Sequence, residues 1–253
     1  TMTFGGSRAA LETKTKLGGV AAGGEYRTAD FVAGAVALAG TGDVKGRGVN
    51  SDVTNDVDYY GLEMFAAKTV GNFSWGGIVG WTTSENDVKA DGAAWKTDAQ
   101  VLTLGARVEY RHALSDDWTL LPYAGLNWHR VKTDGVETRE GWRSSKVEQD
   151  LFTLPVGLSI AGRFDTRSGW KVTPSVDASF VPAFGDTEVD GTTTVQGIEM
   201  HAPLNVWSEN AGRLSLGIAA ERKGWTFGVQ LGGAVGSDDM KAFEGRIRVG
   251  RVF

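Results

Sequence analysis

The sequence lacks features on which several protein classes depend. Its 253 residues include no cysteine, which excludes a disulfide framework. No stretch approaches the roughly 20 apolar residues of a membrane-spanning helix, and residues 1–15 lack the basic start and apolar run of a signal peptide. The net charge of −5 and the scattered Lys and Arg residues argue against nucleic-acid binding.

Common catalytic motifs are also missing. The sequence contains no GxxxxGK[ST], HExxH, GxSxG or paired CxxC pattern, so we expect no cofactor, no metal and no catalysis. No shift in composition and no Pro/Ser-rich linker divides the chain, which predicts a single domain over residues 1–253. The 36 glycines indicate many turns.

Apolar and polar residues alternate along most of the chain. In one segment the even positions are apolar, namely Leu102, Leu104, Ala106, Val108 and Tyr110, and the odd positions are Thr103, Gly105, Arg107 and Glu109. Strict period-two alternation predicts β-strands with one apolar face. Most of these strands exceed the 5–6 residues usual in soluble sandwiches and reach the ~9–11 residues that cross a bilayer. The pattern therefore predicts an all-β, antiparallel, up-and-down transmembrane barrel.

We predict about twelve strands, an even number as in other single-chain barrels. They cover residues 2–8, 16–28, 31–45, 58–70, 73–83, 98–114, 118–131, 148–164, 170–184, 212–222, 225–235 and 242–253.

Short and long connections alternate between these strands. The tight connections are residues 29–30, 71–72, 115–117, 165–169 and 223–224, and the long polar ones are 46–57, 84–97, 132–147 and 185–211. Outer-membrane barrels have short periplasmic turns and longer extracellular loops, so both termini are expected on the periplasmic side. Aromatic residues such as Trp75, Trp118 and Trp225 stand beside the tight turns, as a girdle at a membrane interface would.

The polar face of the strands would line a lumen containing charges of both signs. These charged residues are Glu25, Arg27, Glu63, Arg107, Glu109, Arg111, Arg163, Asp177, Glu221, Glu244, Arg246 and Arg248. Two hypotheses remain open for them. They contact whatever occupies the lumen, or they pair with one another and hold the shape of the barrel.

The last segment, residues 243–253, alternates apolar and polar residues and ends on an aromatic ring. It resembles the C-terminal signal by which the barrel assembly machinery recognises outer-membrane proteins, with Phe243, Ile247, Val249 and Phe253 as the apolar positions. Arg251 departs from the pattern because it occupies a lipid-facing position, although near the end of the chain it could reach the headgroups.

Segments 17–27, 73–80, 122–126, 174–180 and 245–250 resemble the translocator domain of monomeric autotransporters, the type V secretion proteins. The resemblance implies a monomeric barrel, integral to the outer membrane, that exports and displays an N-terminal passenger. It also implies that the linker to the passenger crosses the lumen as a helix and that the assembly machinery takes part. The passenger and the linker helix would lie upstream of Thr1.

The residues leave two other functions open. A diffusion pore would need an open lumen with a constriction loop, and residues 185–211 are long enough to supply one. An outer-membrane hydrolase would need a histidine beside a nucleophile or carboxylate. His201 with Asp186, Glu188 or Asp190 is a weak candidate for that arrangement, while His112 and His129 have no local partner in the sequence.

Overall fold

The computed structural model describes residues 2–4, 13–47, 51–90, 92–137, 142–195, 198–205, 208–237 and 239–252, and these form nineteen β-strands. The strands are β1 (Met2–Phe4), β2 (Thr13–Arg27), β3 (Phe31–Gly46), β4 (Thr54–Val70), β5 (Phe73–Ala90), β6 (Ala93–Tyr110), β7 (His112–Ala113), β8 (Trp118–Thr133), β9 (Val136–Glu137), β10 (Trp142–Ser144), β11 (Val147–Thr153), β12 (Val156–Gly162), β13 (Phe164–Asp165), β14 (Lys171–Gly185), β15 (Glu188–Val195), β16 (Ile198–Asn205), β17 (Asn210–Arg222), β18 (Trp225–Gly236) and β19 (Lys241–Arg251).

The main sheet closes on itself as a ring. Its hydrogen-bonded order is β1, β2, β3, β4, β5, β6, β8, β12, β14, β17, β18 and β19, and β19 pairs again with β1. All of these pairings are antiparallel. The described residues thus provide twelve strand positions, which confirms the predicted up-and-down barrel of about twelve strands.

Tight turns join the strands at one end of the barrel, as the sequence predicts. At the turn between β17 and β18, Lys223 and Gly224 have φ values of 49° and 78°. Two successive residues with positive φ form the hairpin turn that matches the twist of antiparallel strands, and glycine adopts this conformation without a steric cost. This end is called the tight-turn end below, and the opposite end is the loop end.

Several strands are longer at the loop end than predicted. The predicted loop 84–97 is wrong, because β5 continues to Ala90 and β6 begins at Ala93. The loop 46–57 likewise shortens as β4 starts at Thr54. Beyond the apolar band, both faces of these strands carry polar residues. The sequence therefore shows no apolar face there, although the backbone remains paired.

One predicted strand, residues 148–164, is divided into β11, β12 and β13. Pro155 stands at the first break, and proline has no N–H to give to a neighbouring strand. Its carbonyl oxygen instead accepts a hydrogen bond from the Gly125 amide at 2.8 Å, and the Leu154 amide donates to the Pro182 carbonyl at 3.0 Å. The strand therefore stays in the ring although its ladder is interrupted.

The two longest predicted loops contain further strands. β9 and β10 fall in the predicted loop 132–147, and β15 and β16 fall in 185–211. They form a separate four-stranded sheet in the order β16, β15, β10, β9. The prediction that these segments lack strands is therefore wrong.

The outside of the barrel is apolar and the interior is not. Among the described residues the buried apolar side chains are only Ala93, Tyr123, Leu151, Val181 and Ala211, whereas the outward side chains Leu214, Leu216 and Ile218 are 54%, 55% and 53% exposed. On β5 the outward apolar positions run from Phe73 to Trp81, a span of nine residues that suits a tilted strand crossing a bilayer. Apolar side chains on the outside and polar ones inside are the reverse of a soluble protein, and they are expected of a barrel surrounded by lipid.

The ring is closed by β1 only near the loop end. β1 pairs with Thr13–Thr15 of β2 and with Lys241 and Ala242 of β19. Farther toward the tight-turn end, β2 pairs with β3 alone and β19 with β18 alone within the described ranges. Residues 16–27 and 243–249 are accordingly exposed on both faces. The first predicted strand, 2–8, is described only at residues 2–4.

None of the residues described forms a helix of the length and apolarity that crossing a membrane requires.

Candidate functional site in the lumen

The predicted lumen charges are positioned by strand parity. Successive side chains of a strand point to opposite faces, so Arg107 and Glu109 of β6 face inward because Leu104 and its even-numbered neighbours face lipid. The same parity turns Asp177 of β14 inward beside the outward Val176. Inward polar residues thus come from strands all around the ring.

A connected polar network covers the wall formed by β6, β8, β12 and β14. Arg107 Nη2 lies 2.9 Å from Glu109 Oε2, and the Arg107 guanidinium carbon lies 3.5 Å from the centre of the Tyr123 ring. The Tyr123 hydroxyl donates to Asp177 Oδ1 at 3.1 Å, and the Ser159 hydroxyl donates to Asp177 Oδ2. Each charge in this network is therefore partnered by the barrel itself.

Gly157 is the residue that permits this network. It lies on β12, between β8 and β14, and a Cβ atom there would overlap the Tyr123 ring. Without a side chain at that position, the Tyr123 ring lies across β12 and reaches Asp177 on the next strand. A glycine covered by a cross-strand aromatic ring is a recognised device for pinning register.

A second ion-paired group connects β2 and β19 where no strand pairs between them. Arg27 Nη2 lies 2.9 Å from Glu25 Oε1, and Arg248 Nη2 lies 3.7 Å from Glu25 Oε2. Glu25 belongs to β2 and Arg248 to β19, so the carboxylate connects the two strands where their backbones do not pair.

Four other predicted lumen residues have no such partners within the described part of the chain: Glu244 of β19 and three that are considered together below. Glu63 of β4, Glu221 of β17 and Arg246 of β19 take inward positions, and within the described part of the chain their side chains make neither an ion pair nor a hydrogen bond. We call these three residues the unpartnered lumen charges. Glu244 also occupies an inward position, next to Gly232.

Arg111 and Arg163 lie at the tight-turn end rather than within strands. Their amides donate to the Asn72 carbonyl at 2.7 Å and the Asp117 carbonyl at 2.8 Å. Both residues are exposed. The structure thus places these two predicted residues at the rim of the barrel and does not bring them together with the network.

The histidines do not form a described catalytic arrangement. His129 Nδ1 lies 3.0 Å from the Thr103 hydroxyl, while His112 is exposed in β7. His201 lies in β16, opposite Thr192, and the side chains of His201, Glu188 and Asp190 lie outside the described residues. The Asp186 carboxylate accepts a hydrogen bond from the Asp150 amide at 2.8 Å.

The predicted assembly signal faces outward. Phe243, Ile247 and Val249 are 60%, 80% and 60% exposed on the lipid-facing side of β19. Phe253 lies outside the described residues.

The network residues Tyr123 and Ser159 were not singled out from the sequence. Both stand on the polar parity of their strands, but their joint contact with Asp177 depends on the register of three strands. The signal in the sequence that could have pointed to Tyr123 is a bulky aromatic side chain on the strand face that otherwise carries mainly small and polar residues.

Comparisons with known proteins agree with this architecture. A family model described as the autotransporter beta-domain matches residues 2–232. The beta domain of the Bordetella autotransporter BrkA is 14% identical with a TM-score of 0.70, and the alignment covers 100% of this chain and 97% of that chain.

Two further solved structures are similar. The transport unit of AIDA-I from Escherichia coli is 14% identical with a TM-score of 0.78, covering 100% of this chain and 88% of that chain. The translocator domain of NalP from Neisseria meningitidis is 17% identical with a TM-score of 0.75, covering 100% of this chain and 84% of that chain. No curated protein sequence matches the chain.

Proposed function

The chain belongs to the autotransporter beta-domain family, and from this premise we propose that its exported passenger passes through the lumen described above and that the unpartnered lumen charges contact it. Members of this family are non-catalytic translocators of the outer membrane, and this domain exports its own passenger. The proposal further covers the route of the passenger, the orientation of the barrel in the membrane and the partners of the barrel.

The orientation is supported by the unequal connections. The tight turns lie at one end, and the strand extensions and the four-stranded sheet of β9, β10, β15 and β16 lie at the other. Outer-membrane barrels place short turns in the periplasm. We therefore assign the tight-turn end, where β19 finishes, to the periplasm. The expectation that both termini lie on that side is proposed here for the C-terminus alone, because Met2 of β1 pairs with Thr15 and Ala242 near the loop end.

The route is supported by the charge distribution of the lumen. Glu63, Glu221 and Arg246 lie on three different strands and face the interior without a partner among the described residues. A passing extended chain or a linker helix offers polar groups of both signs, which such side chains can bind weakly and release. The single observation that carries the proposal is this set of inward charges in a barrel of the translocator family.

Two partners follow from the outer surface. The apolar band contacts outer-membrane lipid, and the outward Phe243, Ile247 and Val249 of β19 are available to the barrel assembly machinery. We propose both outer-membrane lipid and the barrel assembly machinery as partners of this domain.

A surface-display assay tests the route. A reporter joined ahead of Thr1 through a native-length helical linker is expressed, and intact cells are treated with external protease. Cleavage of the reporter from outside is the expected result. A folded barrel with the reporter protected in the periplasm would contradict the proposal and favour a diffusion pore.

A further inference from the structure

A groove opens on the lipid-facing side of β14, β17 and β18 near the loop end. Its volume is about 1070 Å³, and bulky apolar side chains such as Phe180, Leu214 and Val235 form its walls. Small residues in outward positions form its floor. Gly212 lies between Phe180 and Val235 in the strand register, and Gly233 lies beside Leu214. We call this feature the outer groove.

The two glycines leave room that a larger side chain would fill. Beyond the chain neighbours, a Cβ atom on Gly212 would come no closer than 3.9 Å to another atom, and one on Gly233 no closer than 3.6 Å. Neither glycine has a positive φ, so neither is required by the backbone conformation. The depth of the groove is therefore not a by-product of a turn or of a close approach between strands.

A row of three lysines begins at the rim of the outer groove. Lys241 of β19 lines the groove and stands opposite Val235. On its other side it pairs with Thr3 of β1, which pairs with Lys14 of β2, and Lys14 pairs with Lys45 of β3. Each lysine lies on the lipid-facing parity of its strand. We call these three residues the rim lysines.

The rim lysines make neither an ion pair nor a side-chain hydrogen bond within the described part of the chain. The next outward pair of β2 and β3 is Lys16 opposite Asp43, where opposite charges offset each other. Asp239, in the loop before β19, forms no ion pair with the rim lysines. On another wall of the loop end, Arg130 lies 2.8 Å from Asp150 and is neutralised by the barrel. The rim lysines are instead suited to an external anion.

The width of the row suits a headgroup with more than one phosphate. Adjacent strands lie about 4.8 Å apart, so Lys241 and Lys14 are separated by about 10 Å, and Lys45 lies one strand farther. A sugar headgroup holds two phosphates at a fixed separation, as the strands hold the lysines, and such preorganisation favours binding. The apolar groove beside Lys241 accepts an acyl chain of the same molecule.

We propose that the rim lysines bind the phosphates of a glycolipid that carries two of them, and that the outer groove holds one of its acyl chains. The lysine ammonium groups donate hydrogen bonds to the phosphate oxygens. That this lipid belongs to the outer leaflet rests on the orientation given under the proposed function. The site is specific, unlike the general contact between the apolar band and the membrane.

The test measures lipid retention by the protein purified from the outer membrane in detergent. Native mass spectrometry follows the binding of diphosphorylated lipid A, monophosphorylated lipid A and cardiolipin over a titration. The diphosphorylated form is expected to bind most tightly. Lys241→Gln and Lys14→Gln are each expected to weaken its retention about five-fold, the scale of one cation near an anionic surface. Lys241→Arg keeps most of the retention because the charge remains.

Gly212→Leu tests the groove, because the leucine side chain occupies the space of the acyl chain while its Cβ meets no close atom. It is expected to weaken both forms of lipid A several-fold and to the same extent. Lys241→Gln is expected instead to reduce the difference between the two forms. The charged and apolar parts of the site are thereby measured separately.

Each kind of change has a matched control. Lys68→Gln removes an outward lysine from β4 at the tight-turn end. Gly24→Leu adds the same side chain to β2 outside the groove, where a Cβ would meet no atom within 4 Å. Both controls are expected to retain lipid A as the unmodified protein does.

Equal retention by Lys241→Gln and the unmodified protein would overturn the proposal, as would an equal loss in Lys68→Gln. A loss in Gly24→Leu equal to that in Gly212→Leu would overturn the role of the groove. Tighter binding of cardiolipin than of diphosphorylated lipid A would overturn the assignment to a glycolipid.

Heat-modifiable migration verifies that each variant is folded, and Lys14→Gln decides the matter if Lys241→Gln fails to assemble. Surface display is measured in the same cells. Absence of lipid selectivity in the unmodified protein with display intact would contradict this inference alone. Trapped reporter with lipid selectivity intact would contradict the proposed route alone.

Discussion

Two of the groups of charged side chains that face the lumen differ in what they contact. Arg107, Glu109 and Asp177 are bound into one network through Tyr123, whereas Glu63, Glu221 and Arg246 are unpartnered within the described residues. The first group lies on neighbouring ring positions and the second is distributed over β4, β17 and β19. The comparison separates the two sequence-based hypotheses: self-pairing describes one wall, and the remaining charges are available to a passenger.

The largest expected effect comes from breaking the network at Gly157. Gly157→Ala places a methyl group against the Tyr123 ring, which must leave its positions over Arg107 and beside Asp177. Loss of a hydrogen bond to a charged group and of a cation–π contact costs about 2–4 kcal/mol. The measurement is the temperature at which the heat-modifiable barrel loses its compact form. Gly24→Ala is the control, because its Cβ would meet no atom within 4 Å; an equal loss there would refute the role of Gly157.

A smaller effect, on transport rather than stability, is expected from the unpartnered lumen charges. The triple variant Glu63→Gln, Glu221→Gln, Arg246→Gln is expected to slow surface display by roughly two- to five-fold, the scale of a few weak exposed ion pairs. Its thermal stability should stay near that of the unmodified barrel because no described contact is lost. Pulse-chase labelling followed by external protease gives the rate. A large loss of stability with an unchanged rate would reverse the assignment of the two groups.

The smallest effect concerns pH at the loop end. The Lys132 hydrogen bond, together with the charges of Lys132 and Lys146, lowers the pKa of Glu148 from its ordinary value. A lowered folded-state pKa contributes stability above the ordinary glutamate pKa, and this contribution is lost as pH falls through the lowered value. Lys132→Gln should therefore differ slightly from the unmodified barrel at neutral pH and converge with it in acid. A difference that grows in acid would contradict this account.

The sequence predicted the elements that obey local rules. Period-two alternation and the tight turns gave the barrel, its strand number and the inward parity of residues such as Arg107 and Asp177, because each depends only on nearby residues. Loop-end extensions such as that of β5 to Ala90 were missed because both faces are polar there. The Tyr123 network was missed because it depends on the register between β8, β12 and β14.

Disulfide trapping of a passenger in transit tests the central claim most directly. The 253 residues contain no cysteine, so within them a Glu63→Cys variant offers one thiol to a cysteine placed in the linker ahead of Thr1. Met64→Cys is the matched control on the outward face of the same strand. The account predicts a mixed disulfide between the linker and Cys at position 63 and none at position 64. A disulfide at position 64 alone, or none at 63 while the passenger reaches the surface, would contradict passage through this lumen.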